Sequence, residues 1–153
     1  MSFALNDEKM VELISEYNGS QTEFECILYA CIEGGLKGIN PLLLGSAVLI
    51  GGAVGGGIAG AAGGMSNDFA ILTFSNGIIS LYVFTKFEIK IIARVDIQIN
   101  QVCKMKKKKF LIWNTVKLFL NSKDKIKLTF SDKVVGIENQ KEYADVFLRL
   151  LSK

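Results

Sequence analysis

Histidine, the usual general base and the commonest zinc ligand, is missing from all 153 residues. The cysteines are Cys26, Cys31 and Cys103, an odd number without framework spacing, which reads as reduced thiols of a cytosolic protein. Cys26 and Cys31 are too few for a metal cage, and their odd spacing puts them on opposite faces of a strand. Residues 51–64 offer glycine-rich loop patterns but lack the lysine-serine/threonine ending that a phosphate-binding loop requires. No spacing of carboxylates marks a catalytic pair. These residues point away from hydrolysis, group transfer and any bound metal or cofactor, and toward a non-enzymatic binding module.

Two other features carry binding chemistry. Lys104, Lys106, Lys107, Lys108 and Lys109 place five ammonium groups in six positions, interrupted by Met105. Near an anionic bilayer each contributes about 1 kcal/mol, screened beyond a Debye length. A solvated hairpin tip between two strands is the bland alternative for this run. The run belongs to a wider asymmetry. Residues 1–40 hold seven acids and two lysines, a balance of −5, whereas residues 66–153 hold sixteen bases and eight acids, a balance of +8. A basic C-terminal part suits an anionic partner, lipid or nucleic acid. With only Arg94 and Arg149 among the bases, bidentate reading of phosphates or guanines is poorly provided for. Tyr82, Phe110 and Trp113 would be stacking residues for single-stranded nucleic acid, but in a small barrel such aromatics are expected in the core or half-buried in the sheet.

The second feature is residues 41–65, which carry no charge and nine glycines. As one helix they would run about 37 Å, enough for a ~30 Å hydrocarbon core. Gly52, Gly56, Gly60 and Gly64 repeat every four residues and, with Leu49 and Ile50, form an expected membrane or oligomer contact. The nine glycines disfavour an isolated helix in water by roughly 8 kcal/mol, so such a helix needs lipid or tight partners. A soluble hairpin broken at residues 55–57 is the alternative. The first 37 residues are acidic throughout and contain no apolar run with a small-residue cleavage site, so no secretory leader is expected.

The elements that must position these features follow from periodicity. Asn6 caps a first helix with Met10, Leu13, Ile14 and Tyr17 on one face and Gly19 as its stop. Residues 24–33 read equally as a helix, through Ser20 and Glu23 as a capping box, or as a buried strand. Residues 69–75 and 78–85 form a hairpin around Asn76-Gly77, the dipeptide of a type I′ turn. Alternation continues at Phe87, Ile89 and Ile91, at Val95, Ile97 and Ile99, at residues 116–118 and at residues 126–130, with a polar turn at 121–124. Asn139 with Glu142 starts a last helix whose Tyr143, Val146, Phe147, Leu150 and Leu151 share one face.

This order resembles the bacterial PH-like (pleckstrin-homology-like) domain family. Residues 25–30, Glu-Cys-Ile-Leu-Tyr-Ala, resemble its first strand. Residues 70–79, with their leucine-threonine pair and tight turn, resemble the second and third strands. Val95-Asp96-Ile97 resembles the segment before the crossing to the second sheet. The resemblance tips residues 24–33 toward strand. It implies one α+β domain over residues 1–153: a bent antiparallel sheet or partly open barrel of about seven strands, an N-terminal helix, a C-terminal capping helix and a glycine-zipper insertion at 34–67. It also implies a binding or assembly platform without catalytic residues. The phosphoinositide-binding loop of eukaryotic relatives is replaced here by the apolar segment, so that site does not carry over.

The expected function is a membrane-associated binding or scaffold module at the cytosolic face, homo-oligomeric, with an anionic membrane lipid as partner. The alternative is a soluble protein-interaction or assembly/immunity factor whose glycine segment packs between subunits. Nucleic acid is the third and most distant partner.

Overall fold

A computed structural model describes residues 5–21, 23–33, 68–84, 91–121 and 125–151. The chain begins with helix α1 (Asp7–Asn18), followed by β1 (Cys26–Ile32), β2 (Asp68–Ser75), β3 (Ile78–Phe84) and β4 (Ile91–Gln98). A single 3-10 turn at Ile99–Gln101 leads into β5 (Val102–Phe110), β6 (Trp113–Leu120) and β7 (Lys125–Ser131), and helix α2 (Gln140–Leu151) closes the order.

The local rules account for most of these elements. The Asn6 side chain accepts a 2.7 Å hydrogen bond from the Lys9 N–H, and Gly19 ends α1 at φ 74°, where a side chain would be strained. Residues 26–32 are strand, so the capping-box reading of Ser20 and Glu23 loses to burial on both faces of the sheet. Asn76 and Gly77 take φ 51° and 76°, the pair of positive values a type I′ hairpin needs. The strand expected at residues 87–91 is seen only from Ile91 onward, since residues 85–90 lie outside the described residues.

All seven strands join in one antiparallel sheet of order β4-β3-β2-β1-β7-β6-β5. β4 and β5 are its edges, so the sheet is open. The fold is α+β. Among the described residues the seam between the β1–β4 half and the β5–β7 half is narrow: Cys31 stands opposite Thr129, Ile32 opposite Leu128, and the Glu33 N–H donates to the Lys127 carbonyl at 2.9 Å. Where β1 parts from β7, the buried Gln140 amide fills the gap. It accepts from the Tyr29 N–H at 3.0 Å and donates to the carbonyls of Tyr29 (2.8 Å) and Ser131 (3.0 Å). Backbone groups that the ladder abandons are thereby satisfied without water.

Two apolar layers result. The inner face gathers Leu28, Leu72, Leu81, Val95, Leu118 and Leu128 beneath α2. The α2 stripe packs there as its spacing demands, with Phe147 fully buried and edge-on to Phe74 and Phe130 at 6.3 and 5.8 Å. Among the described residues the outer face is covered only in part. Met10, Leu13 and Ile14 of α1 pack with Ile27, Ile71, Tyr82, Phe84 and Ile91, that is, on β1–β4. Strand β3 is buried on both faces and β1 is buried except at the half-buried Tyr29 and Cys31, whereas β6 and β7 alternate between buried and half-buried positions after an exposed first residue.

Candidate functional site: a lysine face beside an apolar hairpin tip

The outer face of β5–β7 lies beyond the reach of α1, and the basic residues converge there. Their placement follows from register. Lys106 stands opposite Lys117, and Lys117 stands opposite Lys127, so three lysines form one row across three strands. The next row places Lys108, Thr115 and Thr129 side by side, and the row on the other side holds Lys104, Phe119 and Lys125. The ammonium groups of Lys104 and Lys106 both lie 5.8 Å from the centre of the Phe119 ring, which offers its negative face to them.

Like charges directly opposite each other destabilise a sheet. Among the described residues a single carboxylate offsets the lysine row: Glu33, just after β1, lies 2.6 Å from Lys127 and accepts from the Thr129 hydroxyl at 2.9 Å. The hydrogen bond from Lys127, reinforced by that of Thr129 against the cost of burial, holds the Glu33 carboxyl below its ordinary value. Lys106 and Lys117 have no such carboxylate among the ion pairs of the described residues.

The run of lysines is therefore not a hairpin tip, as the bland alternative had it, but an edge strand. Its alternation also divides the five expected contact residues. Lys104, Lys106 and Lys108 share the outer face, while Lys107 and Lys109 are in register with the core-facing Val116 and Asn114. Lys107 still borders the trough on the outer face. Lys109 is engaged elsewhere, 2.9 Å from the buried carboxylate of Asp132.

The tip itself is the four-residue run Phe110, Leu111, Ile112 and Trp113. Phe110 is 68%, Leu111 76% and Trp113 51% exposed. This corrects the expectation that Phe110 and Trp113 sit in the core or half-buried; only Tyr82 does, fully buried under α1 with the Arg94 guanidinium 5.2 Å from its ring centre. Leu111 adopts φ 57°. A branched apolar side chain is disfavoured there, where asparagine or glycine would sit without cost. The tip thus sacrifices both turn stability and solubility to display apolar groups, a local violation of the kind that marks functional sites.

Phe110, Trp113, Lys106, Lys108 and Lys117 line a trough of about 800 Å³. Trp113 also walls a neighbouring cleft of about 430 Å³, lined by Tyr29, Cys31, Phe69, Phe130 and Val134 among others. Burial pushes the Tyr29 hydroxyl up to about 12, so that wall stays uncharged at neutral pH.

Sequence reasoning found the β5 lysines and missed Lys117, Lys125, Lys127, Thr115 and Phe119, which complete the face from β6 and β7. The alternation of Trp113, Thr115, Lys117 and Phe119 against the buried Asn114, Val116, Leu118 and Leu120 carried that signal. Gly52, Gly56, Gly60, Gly64, Leu49 and Ile50 lie outside the described residues. Among the described residues no helix is long and apolar enough to cross a membrane. A scan of protein-family models and a search of curated proteins found no match to this chain.

Proposed function

We propose that the protein is a non-enzymatic module that attaches to an anionic membrane surface through the outer face of β5–β7, with the Phe110–Trp113 tip entering the lipid headgroup layer. The observation that carries this reading is the pairing of an exposed apolar tip with a lysine face on a half-sheet that no other described element covers. Peripheral attachment needs apolar area for insertion and basic charge for attraction. Lys104, Lys106, Lys108 and Lys117 together supply about 4 kcal/mol near such a surface. Immersing the tip adds a few kcal/mol more, since fully burying one large apolar side chain is worth roughly 1.5–3 kcal/mol.

The PH-like reading of the fold is part of the proposal. It is supported by the seven antiparallel strands, the open sheet and the helix that follows the last strand and caps the inner face. Ile32 and Asp68 are backbone partners at the ends of β1 and β2, so the chain leaves and re-enters the sheet at one place. A single bilayer crossing by residues 41–65 is incompatible with that pairing, and those residues enter the proposal only as a second contact on the same side of the membrane.

Co-sedimentation with vesicles tests the reading. The protein should pellet with phosphatidylglycerol vesicles, much less with phosphatidylcholine vesicles, and less at high salt. Replacing Lys104, Lys106, Lys108 and Lys117 together by glutamine should weaken binding by about a thousandfold, the equivalent of ~4 kcal/mol. Trp113, the only tryptophan, should shift its emission to the blue on binding. Equal binding of parent and quadruple variant, or tight binding to a single-stranded oligonucleotide with none to vesicles, would overturn the proposal.

A further inference from the structure

The trough and the cleft share Trp113 as a wall but differ in chemistry. The trough is cationic, with Lys106, Lys108 and Lys117 around the Thr115 hydroxyl. The cleft beyond Trp113 is mainly apolar, with Tyr29, Phe69, Val134 and Cys31 among its lining residues. The rings of Tyr29 and Phe69 stack with centroids 6.1 Å apart, so they form a continuous aromatic surface. The two lie on the same outer face, because Thr129 stands opposite both Thr115 in the trough and Cys31 in the cleft. A volume of about 430 Å³ falls within the range of roughly 300–1,000 Å³ usual for small-molecule sites.

We infer that this pair of sites binds one phosphate-bearing amphiphile, its phosphate among Lys106, Lys108 and Lys117 and its alkyl chain in the cleft between Tyr29, Phe69 and Val134. The inference rests on the surface reading above and deepens it, from diffuse attraction to a defined lipid site. Charge complementarity selects the ligand. Opposed lysines at Lys106 and Lys117 repel each other until an anion lies between them, and lysine engages phosphate as a point charge without needing bidentate geometry. Thr115, in the adjacent row, offers a hydroxyl donor at the same place. The one carboxylate in the cleft, Glu33, is taken up by Lys127 and Thr129 and so does not repel the headgroup as an isolated charge would. The apolar cleft gives the chain the burial that a free phosphate could not use.

Titration with dodecyl phosphate below its micelle concentration, followed by Trp113 emission, reads the site directly. Saturable one-to-one binding is expected, at least about tenfold tighter than that of inorganic phosphate. Cys31→Phe fills the cleft and Val134→Glu puts a charge on its wall. Each should lose roughly tenfold or more in dodecyl phosphate affinity while still pelleting with phosphatidylglycerol vesicles, provided its far-ultraviolet spectrum matches the parent. If dodecyl phosphate binds no better than inorganic phosphate, or if both variants bind it as the parent does, the lipid site is wrong while the surface reading survives. Loss of vesicle pelleting in the parent would instead sink the surface reading.

Discussion

The outer face of the sheet is two surfaces built on one ladder. Over β1–β4, α1 lies across it, and Ile27, Ile71, Tyr82, Phe84 and Ile91 are buried with Met10, Leu13 and Ile14. Over β5–β7 no described element covers it, and the same outward positions are occupied by lysine, threonine and exposed aromatic residues. The hairpin turns repeat the contrast. The β2–β3 turn uses Asn76-Gly77, residues suited to its positive φ values, whereas the β5–β6 turn puts Leu111 at φ 57° with its side chain in solvent. In the covered half the α1 cap and the β2–β3 turn residues agree with the fold. In the bare half turn chemistry, like-charge spacing and apolar exposure all run against it, and such disagreement concentrates where a surface is shaped for a partner.

Truncation should separate the halves most sharply. Ile14→Ala removes a fully buried side chain beneath α1 and should cost about 2–5 kcal/mol in urea unfolding. Trp113→Ala, at an exposed position, should change stability by no more than ~0.5 kcal/mol yet weaken binding to phosphatidylglycerol vesicles several-fold. If Trp113→Ala destabilises as much as Ile14→Ala, the bare half is core under another name and the contrast fails.

Apart from β1, the covered half is also the half that its sequence reveals. Helix α1, its Asn6 cap and the Asn76-Gly77 turn depend on residues within a few positions of one another. The α2 stripe needs only its own 3.6-residue period. The bare half depends on register between strands distant in sequence. Which β5 lysines share a face, and that Lys117 and Lys127 join them, is decided by the pairing of β5 with β6 and β6 with β7. The strand character of residues 26–32 was locally ambiguous for the same reason, since both its neighbours, β2 and β7, are remote in sequence. An isolated glutamine at a helix start reads as surface, and only the parting of β1 from β7 gives Gln140 backbone to bind.

A smaller effect sharpens the comparison of the turns. Leu111→Asn relieves the positive φ while removing an apolar group that contacts little, at 76% exposure. Stability should rise by up to about 1 kcal/mol, because asparagine tolerates this conformation far better than leucine. Vesicle affinity should fall in the same variant. A gain in stability with a loss of binding shows that the strained turn serves the surface; a loss of stability would show that Leu111 is held by packing instead.

The smallest expected effect concerns how the bare half is held from within. Asp132, in the loop after β7, is buried beneath the tip, and its N–H donates to the Ile112 carbonyl at 2.8 Å. Its carboxylate accepts from the Asn114 amide at 2.8 Å and meets the Lys109 ammonium at 2.9 Å. Burial alone would push the Asp132 carboxyl up, but the Lys109 and Asn114 hydrogen bonds and the Lys109 charge outweigh it and hold the carboxyl below its ordinary value. A folded-state value below the unfolded one, about 3.9, means that the carboxylate contributes its stability above that pH. The contribution is lost as pH falls through the lowered folded value. Asp132→Asn should therefore cost under about 1 kcal/mol at pH 7, since Lys109 is half-exposed and recovers water. The variant should also lose less stability than the parent between pH 7 and pH 3, although Glu33 and the other carboxylates keep titrating in both proteins. Urea midpoints measured across that interval check the sign. Parallel curves for the two proteins would mean that the Lys109–Asp132 contact does not clamp the hairpin, leaving the Asp132 N–H bond to Ile112 to hold the tip in place.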